Sequence, residues 1–286
     1  MTTRLIVIKS IGKEVLVMSA DVYAEITRAS VPVLERLAEI LERRGTDPQQ
    51  ERIRQAYFSD IPFPENARVL ESGCGTGAVV RALADWPGVG EVVGTDPSEF
   101  FLNIARDLAK FRENVRFNLA DARNLPFPDE TFDVAVFHTT LCHVPSPEKA
   151  LEEAWRVLRP NGILAVFDAD YSSTTLAQGP QDPLQAVAEA AISVIAYDPY
   201  LGRRLAPLVH QTGFEITQTR SFGYCGVEDS DYMLTLVDRG ADALLDSKRV
   251  GPELAAALKN EARRRVQAGN FFGRISYSNI IARKVD

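Results

Sequence analysis

The sequence predicts an α/β protein built on a doubly wound, mostly parallel sheet, and three observations carry that expectation. From Ala67 onward, short runs rich in Val, Phe and Leu recur (ARVLES, EVVGTD, VRFNLAD, FDVAVFH, GILAVFD). Runs this short and this apolar fit strands buried on both faces. Between them lie GAVVRALADW, EFFLNIARDLAKF and SPEKALEEAWRVL, whose apolar residues return at three- and four-residue steps, as one face of a helix requires. The third observation is a glycine cluster, SGCGTGA at 72–78, at the first strand-to-helix junction. Strand and helix alternating with short loops gives a parallel sheet covered on both sides.

Element by element, the N-terminal stretch comes first and differs from the rest. RLIVIK and EVLVMS flank SIGK and read as a β-hairpin; AEITRASVPVLERLAEILERR and PQQERIRQAYF read as helices. We take residues 1–60 as an N-terminal extension and 61–286 as the core. Within the core, Ser98 is placed to cap the helix EFFLNIA. Ser146-Pro147-Glu148 offers a cap, a first-turn proline and an acidic first turn. Pro160-Asn161-Gly162 should end that helix and turn the chain into the next strand. Beyond Asp168 the alternation loosens. RRLAPLVHQTGF and EITQTRSFGY read as a helix, a stop at Gly213 and a strand, and FFGRISYSNIIARK as a closing strand. These two bring the sheet to seven strands. The stretches at about 172–200 and 223–270 read as helical insertions forming a cap over the ligand edge.

Composition narrows the function classes. The 286 residues carry 32 Lys and Arg against 39 Asp and Glu, a net charge of −7, which argues against nucleic acid as partner. Arg263-Arg264-Arg265 is a basic run, but at helical spacing it reads as a solvated face. The three cysteines, Cys74, Cys142 and Cys225, include no CxxC pair, so neither a disulfide framework nor a structural zinc site is expected, and a cytoplasmic location fits. No apolar stretch reaches the roughly 18 residues of a membrane span. MTTRLIVIKSIGK lacks a clear cleavage site and reads as mature protein.

The glycine cluster carries the functional signal. Backbone N–H groups approach a ligand closely only where side chains are absent, and the following helix adds a partial positive end. Gly73 to Ala78 satisfies G-x-G-x-x-G/A, and Asp96 ends the next strand where a ribose-binding carboxylate belongs. A nicotinamide dinucleotide would suit that much. Glu71 argues otherwise. A carboxylate just before the first glycine repels a pyrophosphate and suits an ammonium group. Asp121 ends the third strand and completes a row of acidic groups at three successive strand ends, which fits a cationic adenosine ligand.

With these residues in view, the sequence resembles the class I S-adenosylmethionine-dependent methyltransferases, in particular the small-molecule branch of ubiquinone/menaquinone methyltransferase-like enzymes. VLESGCGTG resembles that family's first motif, TDPS its second, LADARNLPFPDETFDVAVFHTTLCHV its third and fourth, and LEEAWRVLRPNGILAVFD the region that follows. The similarity covers roughly residues 66–168. It implies a Rossmann-like fold, S-adenosyl-L-methionine as cofactor and methyl transfer to a small-molecule acceptor at O, N or C. By that resemblance Glu71 would sit near the methionine amino group, framed by the backbone of Gly73, Cys74, Gly75 and Gly77. Asp96 would bind the ribose with Pro97 beside the adenine, Asp121 and Ala122 would read the adenine edge, and His138 would lie against the methionine part. Ser72 replaces the small apolar residue usual there. Gly77 and Cys74 could equally serve helix packing alone.

Methyl transfer depends mainly on aligning acceptor, methyl and sulfur and on excluding water. For an acceptor that must lose a proton, His143 is the candidate general base, since by the resemblance the loop after the fourth strand faces the transferred methyl; a structural role for it stays open. His210 reads as surface or packing. Asp168, Asp170 and Tyr171, following the fifth strand, and Tyr197 in the first insertion are candidates for the acceptor pocket. No metal site is expected, because Asp168 and Asp170 point to opposite sides of an extended chain. FHTT replaces the [Asn/Asp/Ser]-Pro-Pro-[Tyr/Phe] pattern of enzymes that methylate amino groups of nucleic acids and glutamine. Two other readings stay open: a non-methylating relative, cyclase-like or regulatory, that keeps the cofactor, and an NAD-dependent oxidoreductase. The N-terminal hairpin would serve as a lid or as a subunit contact in a homodimer.

Overall fold

The computed structural model of the protein describes residues 9–10, 13–14, 21–227 and 231–285. Lys9–Ser10 and Lys13–Glu14 pair as two short antiparallel strands; the remainder of the expected hairpin lies outside the described residues. The core is a sheet of seven strands: β1 (Ala67–Ser72), β2 (Val89–Asp96), β3 (Val115–Leu119), β4 (Phe132–His138), β5 (Leu158–Thr175), β6 (Phe214–Cys225) and β7 (Arg274–Lys284). They lie in the order β3-β2-β1-β4-β5-β7-β6, with β7 antiparallel to both neighbours and the pairs from β3 to β5 parallel. Strand order reverses direction between β1 and β4, and ligands of open α/β sheets bind outside the C-terminal strand ends at such a point.

Helices cover the sheet: α1 (Val31–Gly45), α2 (Pro48–Phe58), α3 (Ala78–Ala84), α4 (Glu99–Ala109), α5 (Pro147–Val157), α6 (Leu184–Ile195), α7 (Leu201–Gln211), α8 (Asp231–Asp246) and α9 (Pro252–Gln267). Ser98 caps α4 as expected, its hydroxyl accepting from Phe101 N. Ser146 does not cap α5; it sits at φ +66° with no side-chain hydrogen bond, leaving Pro147 and Glu148 to start the helix. α5 also ends before Pro160, because Leu158 already adopts extended dihedrals, and Asn161 at φ +62° lies in an irregularity within β5.

β5 runs on to Thr175, so Asp168, Asp170 and Tyr171 belong to it and do not follow it. The extension is stabilised by β7, whose Ser278, Tyr277 and Ser276 pair with Asp168, Ala169 and Asp170. Sequence alternation could not show this, because both faces there are covered.

The N-terminal helices are bound into the core. Asp47 caps α2 by accepting from Gln49 and Gln50 N, and its other oxygen accepts from Tyr224 of β6 at 2.6 Å. Ile26, Leu34, Leu37, Ala38 and Phe101 form a small second core that seats the one-turn helix Tyr23–Arg28 and α1 against α4. The C-terminal end of α1 presses on the glycine loop: a Cβ at Gly45 would lie 2.7 Å from Ala78 Cβ. α6, α8 and α9 pack on one another, and α8 also meets α1.

Candidate functional site

At the C-terminal ends of β1, β2 and β4 lies a cavity of roughly 1390 Å³ including its mouth. Its cofactor end is built almost wholly from backbone. The N–H groups of Gly73 and Cys74 both donate to Thr95 O, at 2.7 and 2.9 Å, and lock the loop onto β2. Gly73 sits at φ +78°, and a Cβ there would fall 2.2 Å from Thr140 Cγ2, so only glycine closes the turn. Asp96 holds the loop from the other side: one oxygen accepts from Gly75 N at 2.9 Å and the other from Ser98 N at 2.8 Å. Burial raises its pKa to about 6, against the opposing pull of those two N–H groups.

Glu71 is the anomaly of this end. Its side chain is buried, and Oε2 has no hydrogen-bond partner. Burial pushes its pKa well above the ordinary carboxylate range, with Arg54 pulling the other way and Asp96 adding repulsion. Leaving a buried carboxylate oxygen unsatisfied costs about 1–3 kcal/mol. A ligand ammonium would satisfy it, so the donor set fits the zwitterionic end of the cofactor.

Pro97, Ala122 and Asp121 line the neighbouring wall. Asp121 is not a bare carboxylate: Arg123 holds it with Nη2 at 2.6 Å and Nε at 2.9 Å, which keeps its pKa low. Cys74 lines the cavity with a buried thiol. Gly77 does not line it; at φ +79° its Cα faces Ala105 and Phe117, either of which a Cβ would approach to 3.1 Å. Its place is the packing of α3 on α4 and the sheet.

The rest of the cavity draws on distant parts of the chain. His138, ending β4, is stacked on Phe167 at 4.8 Å between ring centroids, and its Nδ1 meets Tyr57 Oη at 2.7 Å. Burial and the nearby Arg44 and Arg54 hold it neutral, far below the usual histidine range. His143 lines the cavity from the short turn Leu141–His143, with Nδ1 2.8 Å from Oδ2 of Asp21. Asp21 also accepts from Tyr23 N and Tyr197 N. A carboxylate only accepts, so Nδ1 carries the hydrogen and Nε2 is left to take a proton. The dyad is absent from sequence reasoning because its two members are 122 positions apart.

Two expected acceptor residues are corrected. Asp168 is fully buried beneath the cavity and does not line it; its oxygens accept from Cys142 N at 3.2 Å and Ala169 N at 2.9 Å, so it fixes the turn that carries His143. Tyr197 is half exposed and off the cavity, contributing only its N–H to Asp21. Tyr171 does line it. Tyr232, an aromatic of the second insertion, lines it as well, and so do Tyr23, Arg44, Arg54 and Arg239, which the sequence reading missed. On α1 and α2 the arginines looked like the charged face of solvated helices, and no local pattern distinguishes them.

Comparison with known proteins agrees with this geometry. Residues 70–166 match the model of a methyltransferase domain family. An uncharacterized methyltransferase of Schizosaccharomyces pombe is 32% identical over 147 residues, 48% of this chain and 53% of that protein. Demethylmenaquinone methyltransferase of Staphylococcus aureus is 34% identical over 116 residues, 40% of this chain and 48% of that one. The chain thus spans about half the length of the curated relatives it matches. Among solved structures, the [4+2]-cyclase SpnF superposes with a TM-score of 0.54 at 23% identity, covering 82% of both chains, which is a likeness of fold. Residues 70–166 are thus similar to a methyltransferase domain.

Proposed function

We propose that the protein transfers a methyl group from S-adenosyl-L-methionine to a small organic acceptor enclosed between the sheet ends and the helices α1, α6 and α8. The observation that carries this is the buried, unpartnered Oε2 of Glu71 beside a glycine loop fixed by Asp96. In this reading Glu71 takes the methionine ammonium and Arg54, its nearest cation, the methionine carboxylate. Gly73, Cys74 and Gly75 frame that moiety with backbone, and Gly77 supports it only through α3. Asp96 takes the ribose, Pro97, Asp121 and Ala122 surround the adenine, and the neutral His138 walls the methionine chain.

The bound cofactor supplies an electrophilic methyl group on a sulfonium. The chain's part is to align the acceptor, exclude water and, where the acceptor must lose a proton, receive it on His143 Nε2 while Asp21 stabilises the imidazolium. The segments 172–200 and 223–270 serve as a cap over the acceptor, and the negative overall charge supports a small acceptor in place of nucleic acid. No helix among the described residues is long and apolar enough to cross a membrane. Three free thiols, two of them buried, support a cytoplasmic setting.

The test is direct. Saturation with S-adenosylmethionine at a hundred times Kd should stabilise the protein by about 2.7 kcal/mol, seen as a rise in Tm. Incubation with acceptors should release S-adenosylhomocysteine with a methylated product. Cofactor binding without any such product across acceptor classes would favour a non-methylating role, and no cofactor binding at all would remove the proposal.

A further inference from the structure

The cofactor brings one carboxylate, whereas three guanidinium groups of the cavity form no ion pair with a carboxylate among the described residues. Arg44 donates to Thr139 Oγ1, Arg54 to Gly45 O at 3.2 Å and Arg239 to Val194 O at 2.8 Å. Arg123, by contrast, is fully engaged by Asp121. Arg54 lies beside Glu71 and is accounted for by the methionine end. Arg44 and Arg239 remain. Both line the same cavity as Tyr23, whose pKa burial drives up to about 12 against their opposing electrostatic pull.

Guanidinium stays charged, so half-burying it against hydroxyl and carbonyl oxygens leaves it without a counter-ion from the protein. Around the pair stand Tyr23, Tyr171 and Tyr232, with Ile195 and Leu236 supplying apolar surface. No lysine lines the cavity, and the planar fork of arginine matches a carboxylate in two parallel hydrogen bonds. Tyrosine and aliphatic walls suit an organic skeleton attached to that group.

Resting on the methyltransferase reading for the site as a whole, we propose that Arg44 and Arg239 form an anion subsite that recognises an acceptor carrying a carboxylate. The carboxylate anchors the acceptor within the cavity that His143 also lines. Selection is by charge as well as shape: a neutral isostere leaves both guanidiniums unpaired, and an amine adds repulsion.

The experiment is equilibrium binding of four size-matched probes, benzoate, benzamide, benzylamine and phenyl phosphate, to the full chain saturated with S-adenosylhomocysteine. Benzoate should bind at least about tenfold more tightly than benzamide or benzylamine, and more tightly than phenyl phosphate. R44Q and R239Q should each weaken benzoate about tenfold or more while shifting S-adenosylhomocysteine affinity less than about twofold. Equal binding of benzamide or benzylamine, preference for phenyl phosphate, or failure of benzoate to bind would overturn the proposal. So would an R44Q protein that loses cofactor affinity as strongly as benzoate affinity, since Arg44 would then belong to the methionine carboxylate. Thermal melts confirm that each variant is folded, and the two arginines lie on separate helices, so either one suffices. Titrating benzoate into cofactor-free protein separates the two readings. Lost S-adenosylhomocysteine binding with retained benzoate selectivity would strike the methyltransferase reading alone.

Discussion

The two ends of this cavity that we propose to hold cofactor and acceptor are built on opposite plans. At the cofactor end most groups come from one stretch, Glu71 to Ala122, joined by Arg54 and His138, and the loop is held from within that stretch: Gly73 and Cys74 N on Thr95 O, Gly75 N on Asp96. At the acceptor end the partners are remote. Arg44 bonds Thr139 across 95 positions, His143 bonds Asp21 across 122, and Tyr197 N bonds Asp21 across 176. One end presents backbone, which constrains residue type at each turn. The other presents packed side chains, which can be exchanged without disturbing the sheet.

The hardest test of that division is Gly73. An alanine there must adopt φ +78° and place Cβ 2.2 Å from Thr140 Cγ2, so G73A should cost about 3 kcal/mol or more in stability. Cofactor affinity should fall about 100-fold or more. Gly269 is the control: it also has positive φ, +65°, but nothing within 4 Å of an added Cβ. G269A should cost only about 1–2 kcal/mol and leave S-adenosylhomocysteine affinity unchanged by calorimetry. Equal losses of affinity in the two variants would show that the loop has no special role.

A complementary strike at the other end is D21N. It keeps the size of Asp21 but allows the wrong histidine tautomer, so kcat should fall about 10²-fold while S-adenosylhomocysteine affinity changes less than about twofold. Loss of cofactor affinity in step with kcat would mean that the N-terminal segment supports the whole cavity and that the two ends are not separable.

Glu71 should show a smaller effect with two signs. E71Q removes a buried carboxylate one of whose oxygens no group of the protein satisfies, so Tm should rise, by about 1–3 kcal/mol of stability. S-adenosylmethionine affinity should fall about tenfold, because a neutral amide binds ammonium less well. Calorimetry and melts on one preparation test both. A variant that melts higher and binds equally well would show that Glu71 is a core residue and not a ligand group.

How much of this was readable beforehand follows from the same contrast. The strands from ARVLES to GILAVFD, the glycine turn and the ends of the second and third strands were legible, because parallel buried strands and a turn at positive φ each restrict residue type locally. The length of β5 was not, since its pairing with β7 joins residues about a hundred positions apart. Asp168 was misplaced for that reason: a carboxylate near a strand end reads as a ligand group, whereas here it accepts from Cys142 N beneath the turn. Gly77 satisfied the glycine pattern but packs on Ala105. Arg44 and Arg54 lie on amphipathic helices, where a charged residue turned toward a cavity looks like one turned toward water. Their direction is set only when α1 is seated on α4 through Leu34, Leu37 and Phe101.

The mildest perturbation, pH, separates the ends without mutation. Asp96 titrates near 6 in the folded protein, against 3.8 as its ordinary value, because burial disfavours its charge. Between those two values the folded state binds the extra proton, so this group's share of stability, about 3 kcal/mol, is present at low pH and is lost as pH rises toward 6. Cofactor binding has the opposite slope, since the ionised carboxylate is the form that accepts from ribose hydroxyls. S-adenosylhomocysteine affinity should therefore weaken about tenfold for each unit that pH falls below 6. Glu71, whose pKa burial also raises, adds to the loss in the same direction. The guanidiniums of Arg44 and Arg239 do not titrate, so benzoate binding should show no such loss between pH 8 and 6. Affinity for S-adenosylhomocysteine that stays flat down to pH 5 would mean that neither carboxylate touches the nucleoside. Parallel loss of benzoate binding would mean that the anion site depends on groups of the cofactor end.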